Sequence, residues 1–103
     1  MTAEDPLVMV VEFHAAPGRS ADLRQALLDV VTPTRAEDGC LLYDLHDDPQ
    51  DPDHFAFYEI WSTRAAHAAH DLTAHISRLR DSLPGLLAEP ARKVVLRRID
   101  PAA

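Results

Sequence analysis

The sequence predicts one α+β domain, four antiparallel strands and two helical regions in the order β-α-β-β-α-β. Three observations predict it. The chain has 103 residues, enough for a single core that buries roughly 65% of the surface an unfolded chain exposes. Four segments are rich in β-branched and aromatic residues, and two others carry apolar residues at helical spacing. The turn signals Pro17-Gly18, Asp38-Gly39 and Pro84-Gly85 punctuate them.

The first strand is read over Leu7 to Phe13, where Leu-Val-Met-Val-Val-Glu-Phe is mostly apolar or β-branched. Ser20 is read as the N-cap of the first helix, with Asp22 in the first turn where negative charge is favoured. Leu23, Ala26, Leu27, Val30 and Val31 follow the i, i+3, i+4, i+7, i+8 pattern, and Pro33 is expected to end the helix. A second strand is read over Cys40 to His46, with Leu41, Tyr43 and Leu45 on one face and Leu42 on the other. The acidic run Asp47 to Asp53 reads as a long connection. The third strand, His54 to Trp61, places Phe55, Phe57, Glu59 and Trp61 on one face and Ala56, Tyr58 and Ile60 on the other. Ser62 or Thr63 caps the next helix. Asp71 and Thr73 can each cap a fresh start, so a kink or break is expected there. Pro84-Gly85 stops this helix, Leu86-Leu87 is given one more turn, and Lys93 to Ile99 is read as the last strand.

This order is the split β-α-β pattern of ferredoxin-like domains, in which both helices cover one face of the sheet. The first three strands carry apolar residues on both faces. A sheet apolar on both sides needs two covers, and the chain has no third helix to supply the second. A second copy of the same sheet is therefore expected to do so, giving a face-to-face homodimer.

Composition narrows the function. With 47% hydrophobic and 26% charged residues, the chain has the make-up of a water-soluble globular domain. A net charge of −7 argues against binding nucleic acid, which needs a basic surface. The one basic cluster, Arg92, Lys93, Arg97 and Arg98, has the spacing of polar positions on a terminal strand. Cys40 is the only cysteine, so no intrachain disulfide forms, and a reducing cytoplasm is expected. The acidic start Met1-Thr2-Ala3-Glu4-Asp5-Pro6 lacks an apolar signal core. No apolar run approaches the ~20 residues that span a bilayer.

The richest stretch is Phe55-Ala56-Phe57-Tyr58-Glu59-Ile60-Trp61, followed by His67, His70 and His75. It holds the only Trp, two of three Phe and one of two Tyr. Four pieces carry a resemblance to a known family: Glu12 with Pro17-Gly18, Glu37-Asp38-Gly39-Cys40-Leu41-Leu42-Tyr43, Tyr58-Glu59-Ile60-Trp61-Ser62, and His70-Asp71-Leu72-Thr73-Ala74-His75. In this order and on this strand pattern the chain resembles the antibiotic biosynthesis monooxygenase (ABM) domain family, from about Leu7 to Ile99.

The resemblance implies a dimeric α+β barrel with a pocket between each sheet and its helices. Relatives include oxygenases that act on polycyclic phenols and quinols without flavin, haem or metal. The family also holds haem-degrading enzymes, small-sugar isomerases and uncharacterised members, so fold membership does not settle the chemistry. The haem-degrading pattern places an Asn on the first strand and a Trp in the second helix; here Glu12, His14, His67 and His70 stand in those regions.

A cofactor-free oxygenase makes its substrate supply the electron: a phenol or hydroquinone is deprotonated, and the anion reduces oxygen. This needs a base near neutrality, hydrogen-bond donors for the anion, and a dry aromatic pocket. His75 is the first choice for the base, set against a capping role; His70 is the second, set against helix packing; His67 is read as solvated. Glu59, between Phe57 and Trp61, needs a partner or stays protonated. It orients a histidine or pairs with Arg78, Arg80 or Arg97. Trp61, Tyr43, Tyr58, Phe57 and His14 are the expected substrate-binding residues, with core packing the alternative for the aromatics. Cys40 is read as a small buried hydrophobe. No metal site is expected, because His75 falls off the face of His67 and His70 in an unbroken helix. The partners expected are thus a small aromatic substrate and oxygen, with no cofactor. The alternatives are an isomerase or other proton-transfer enzyme, and a non-catalytic dimer that binds a small ligand or haem.

Overall fold

A computed structural model describes residues 5–101 of the chain. The acidic stretch 1–4 lies outside the described residues. The elements are β1 Leu7–His14, α1 Ser20–Asp29, α2 Val31–Arg35, β2 Cys40–Asp48, β3 Asp51–Trp61, α3 Arg64–His70, α4 Ala74–Ser82, a 3₁₀ turn at Leu83–Gly85, and β4 Arg92–Leu96. The strands form one sheet in the order β2-β3-β1-β4, with every neighbouring pair antiparallel. This is the expected ferredoxin-like sheet. No helix among the described residues is long and apolar enough to cross a membrane.

The period-two reading of β1 and β3 sets the core. Leu7, Met9, Val11 and Phe13 stand opposite Trp61, Glu59, Phe57 and Phe55, and all eight are buried. The helices close over this face with Leu23, Leu27, Val30 and Ile76. Each such side chain taken out of water contributes about 1.5–3 kcal/mol, so this layer is the principal source of stability. Val8, Val10, Glu12, Tyr58 and Ile60 alternate onto the other face.

Five local readings change. Ser20 is the first helical residue rather than the N-cap, which is Arg19; the Ser20 hydroxyl donates instead to Asp53 at 2.6 Å. Pro33 does not end the helix but lies within the next one, α2, where a missing N–H in the first turn costs no helical bond. A register shift between Cys40 and Leu42 throws Leu41 outward, 61% exposed, away from the Tyr43 face. The acidic connection is a tight hairpin rather than a long loop, since Asp48 pairs with Asp51. The last strand stops at Leu96.

The break between α3 and α4 falls where capping predicts it. The Thr63 side chain accepts from the Ala66 N–H and the Thr73 side chain from the Ile76 N–H. Gly39, at φ +81°, starts β2 hard against α3. A Cβ there would come within 2.5 Å of Ala66 Cβ and 2.7 Å of Ser62 Oγ.

Candidate active site

The aromatic face of β3, Tyr43 of β2 and the α3–α4 pair enclose a cavity of about 130 Å³ between sheet and helices. Its buried walls include Val11, Phe13, Tyr43, Phe57, Glu59, His70 and Ile76. Its rim carries His67, Asp71, Arg80 and Lys93. A larger open groove of about 550 Å³ runs along Asp5, Leu7, Arg64 and Leu96. None of the predicted site residues lines it, and it lacks the imidazoles and aromatics the chemistry needs.

His70 is buried in the cavity wall. Its Nδ1 lies 2.9 Å from Glu37 Oε2, and its ring packs on Trp61 with centroids 4.6 Å apart. His75 sends Nε2 to the same Glu37 oxygen at 2.8 Å. It lines a separate recess with Ala26, Val30 and Arg78, not this cavity. One carboxylate from the turn before β2 therefore holds two imidazoles from two helices. Glu37 engages His70 at Nδ1, which leaves Nε2 as its other ring nitrogen for proton exchange.

The helix break produces this convergence. In one straight helix His70 and His75 would diverge; the Thr73-capped restart returns His75 to Glu37. The sequence-level reason for setting metal aside therefore does not hold. The ligand atoms of Glu37, His70 and His75 all lie within 4.8 Å of one another, a donor set that a divalent cation accepts. The two short N···O contacts also satisfy these groups as hydrogen bonds.

Glu59 is buried and accepts from Trp61 Nε1 at 2.9 Å. Burial pushes its carboxyl pKa up, against the opposing pull of the Trp61 bond and of nearby His70 and Lys93. None of the arginines proposed from sequence pairs with it: Arg80 stands 3.8 Å from Asp71 instead. Trp61 is fully buried; it anchors Glu59 and backs His70 without lining the cavity. Phe57 and Tyr43 do line it, stacked at 4.4 Å. Burial, then the Glu59 charge, drives the Tyr43 pKa far upward against the opposing pull of the Thr34 hydroxyl, so the phenol stays protonated. Tyr58 and His14 lie on the opposite sheet face, and neither reaches this cavity. His14 stacks on His54 there at 4.5 Å, and His54 bonds Asp48 and Glu12.

Two residues gain importance over the sequence reading. Glu37 organises both histidines; in the sequence it stood out only as the first residue of the Glu37-to-Tyr43 piece of the family resemblance, beside the Asp38-Gly39 turn, with no role attached to it. His67 is not solvated. It edges Trp61 at 5.8 Å, and burial pulls its pKa down. Cys40 is partly buried, and burial, followed by the Glu37 and Glu59 carboxylates, raises its pKa, which disfavours a thiolate nucleophile.

The sequence pattern of the family described as antibiotic biosynthesis monooxygenase matches residues 6–82. The chain is similar to PA3566 of Pseudomonas aeruginosa, with a TM-score of 0.91 and 35% identity across 97% of this chain and 100% of that one. It is similar to Rv0793 of Mycobacterium tuberculosis, which carries a provisional monooxygenase name, at 33% identity over 95% of this chain and 96% of that protein; the structures agree with a TM-score of 0.89. It is also 30% identical over 86% of its length to the uncharacterised protein sll1783 of Synechocystis, spanning 60% of that longer relative.

Proposed function

The chain belongs to the antibiotic biosynthesis monooxygenase family, and we propose that it is a cofactor-independent monooxygenase acting on a small phenol or hydroquinone. The observation that carries this reading is His70, an imidazole in an aromatic cavity wall with Nδ1 held by Glu37. Such a group is oriented to take a proton from a bound phenol. Tyr43 supplies a donor for the resulting oxyanion, and Phe57 a face for the ring. The phenolate passes one electron to oxygen, giving a phenoxyl-type radical and superoxide. Their recombination forms a carbon–oxygen bond, and the hydroperoxide loses water. For a hydroquinone the balance is one oxygen atom in the hydroxyquinone and one in water, with the ring as reductant.

The cavity size supports this reading over the haem alternative. About 130 Å³ is below the ~300–1,000 Å³ of sites that enclose drug-sized ligands, and a haem or flavin is larger than that space. In this reading the working unit is a face-to-face homodimer in the cytoplasm. Its support is an outer sheet face that leaves Tyr58 40% and Leu96 48% exposed.

The test is oxygen uptake by metal-stripped protein with hydroquinones, comparing His70→Ala, His75→Ala and Glu37→Gln. Loss of the base should lower the rate by about 10²–10⁴-fold in His70→Ala. A smaller loss is expected in Glu37→Gln and the smallest in His75→Ala. Full activity in His70→Ala would refute the assignment. Conversion that persists without oxygen would mark an isomerase instead.

A further inference from the structure

We propose that the substrate is a single-ring phenol or hydroquinone bearing an anionic substituent, such as a carboxylate, that Lys93 reads at the cavity rim. The inference rests on the oxygenase reading for its chemistry but on separate observations for its specificity. The first is volume. A closed apolar cavity of about 150 Å³ takes one benzene ring, and this one, open at its polar rim, measures about 130 Å³. Val11, Phe13, Tyr43 and Phe57 are buried and close its floor. A single ring fills that floor, whereas fused rings would have to project past the rim.

The second observation is charge. The rim carries two cations and one carboxylate. Arg80 is committed to Asp71, through a 3.4 Å hydrogen bond to its carbonyl oxygen and a 3.8 Å ion pair. Lys93 reaches the cavity from the helix-facing side of β4, opposite Val11. Its side chain makes no hydrogen bond or ion pair among the described residues. Inside the cavity its charge acts on the buried Glu59 carboxyl. An aromatic floor beneath an exposed ammonium that makes no ion pair among the described residues matches a ring with an acidic substituent directed to solvent.

The test separates binding from turnover. Dissociation constants of benzoate, 2,5-dihydroxybenzoate, hydroquinone and 1,4-naphthohydroquinone would be measured anaerobically by calorimetry at low ionic strength. Wild type, Lys93→Met and Lys93→Arg would be compared, with oxygen uptake run in parallel. A charge-assisted contact is worth enough to make 2,5-dihydroxybenzoate bind about tenfold tighter than hydroquinone. Lys93→Met should abolish that ratio and Lys93→Arg should restore most of it, while hydroquinone affinity stays unchanged in both. Benzoate should compete with 2,5-dihydroxybenzoate. Equal affinity for the charged and neutral rings, an unchanged ratio in Lys93→Met, or tighter binding of the fused ring would overturn the proposal. Binding as expected with no oxygen uptake would uphold the specificity and reject the oxygenase reading.

Discussion

Glu59 shows how one side chain joins stability to the site. Its carboxyl sits between Phe57 and Trp61 on the buried face, and burial raises its pKa above the ordinary 4.5. The folded protein therefore holds this proton to higher pH than the unfolded chain does. The stability that the protonated form contributes is full below about pH 4.5 and falls as pH rises through the folded-state value. Glu59→Gln keeps an oxygen for the Trp61 N–H and removes the ionisation. Melting temperature should fall less steeply above pH 4.5 in the variant than in wild type; parallel curves would show that Glu59 titrates normally. The strand face of Glu59, Phe57 and Trp61 was legible from alternation alone. The partner of Glu59 was not, because a bond between i and i+2 side chains depends on rotamers that no pattern encodes. Glu37 was hidden for a different reason: it lies 33 residues from His70 and 38 from His75, and only the closed fold joins them.

The restart between α3 and α4 makes that contact, so its caps bear on function as well as stability. Thr73 caps Ile76 and also bonds the His70 carbonyl at 2.8 Å. Thr73→Ala should cost about 0.5–2 kcal/mol of stability, as lost N-caps do, and should loosen His75 from Glu37. The positive-φ glycines provide a controlled comparison. Gly18, at φ +77°, has open space where a Cβ would stand, whereas Gly39 has two side chains in that space. Gly18→Ala should cost only the left-handed backbone penalty, about 1–2 kcal/mol. Gly39→Ala adds overpacking of about 1–3 kcal/mol. Denaturant titration that gave equal losses would show that α3 yields freely at Ala66. The capping residues and turn glycines were readable because their chemistry is local. The Leu41 bulge and the continuation of both strands to Asp48 and Asp51 were not, since pairing across the hairpin extends strands through residues with poor intrinsic strand preference.

At the scale of the whole molecule, the two sheet faces have different consequences. Helices cover the face that bears the cavity, while the other presents Val10, Tyr58, Ile60, Val94 and Leu96 around the buried Val8. Its opposite end is polar, with the His14–His54 stack and the Glu12 and Asp48 carboxylates. In the proposed dimer, that polarity would give a second sheet an apolar half to cover and a charged half that penalises slippage, because misplacing carboxylates against apolar side chains leaves them without partners. Tyr58 and His14, expected as ligand contacts, fit this surface better, since neither reaches the cavity. Tyr58→Asp puts a charge at the centre of the apolar half without touching the core. If the proposed dimer forms through this face, the variant should sediment as one chain where wild type sediments as two, with the helical and strand signal intact; a wild type that sediments as one chain would refute the dimer. The cavity is built entirely from one chain, so ligand affinity should survive in the single-chain form. A loss of affinity with dissociation would mean that the partner sheet holds the β1–β3 face in the register that shapes the aromatic floor.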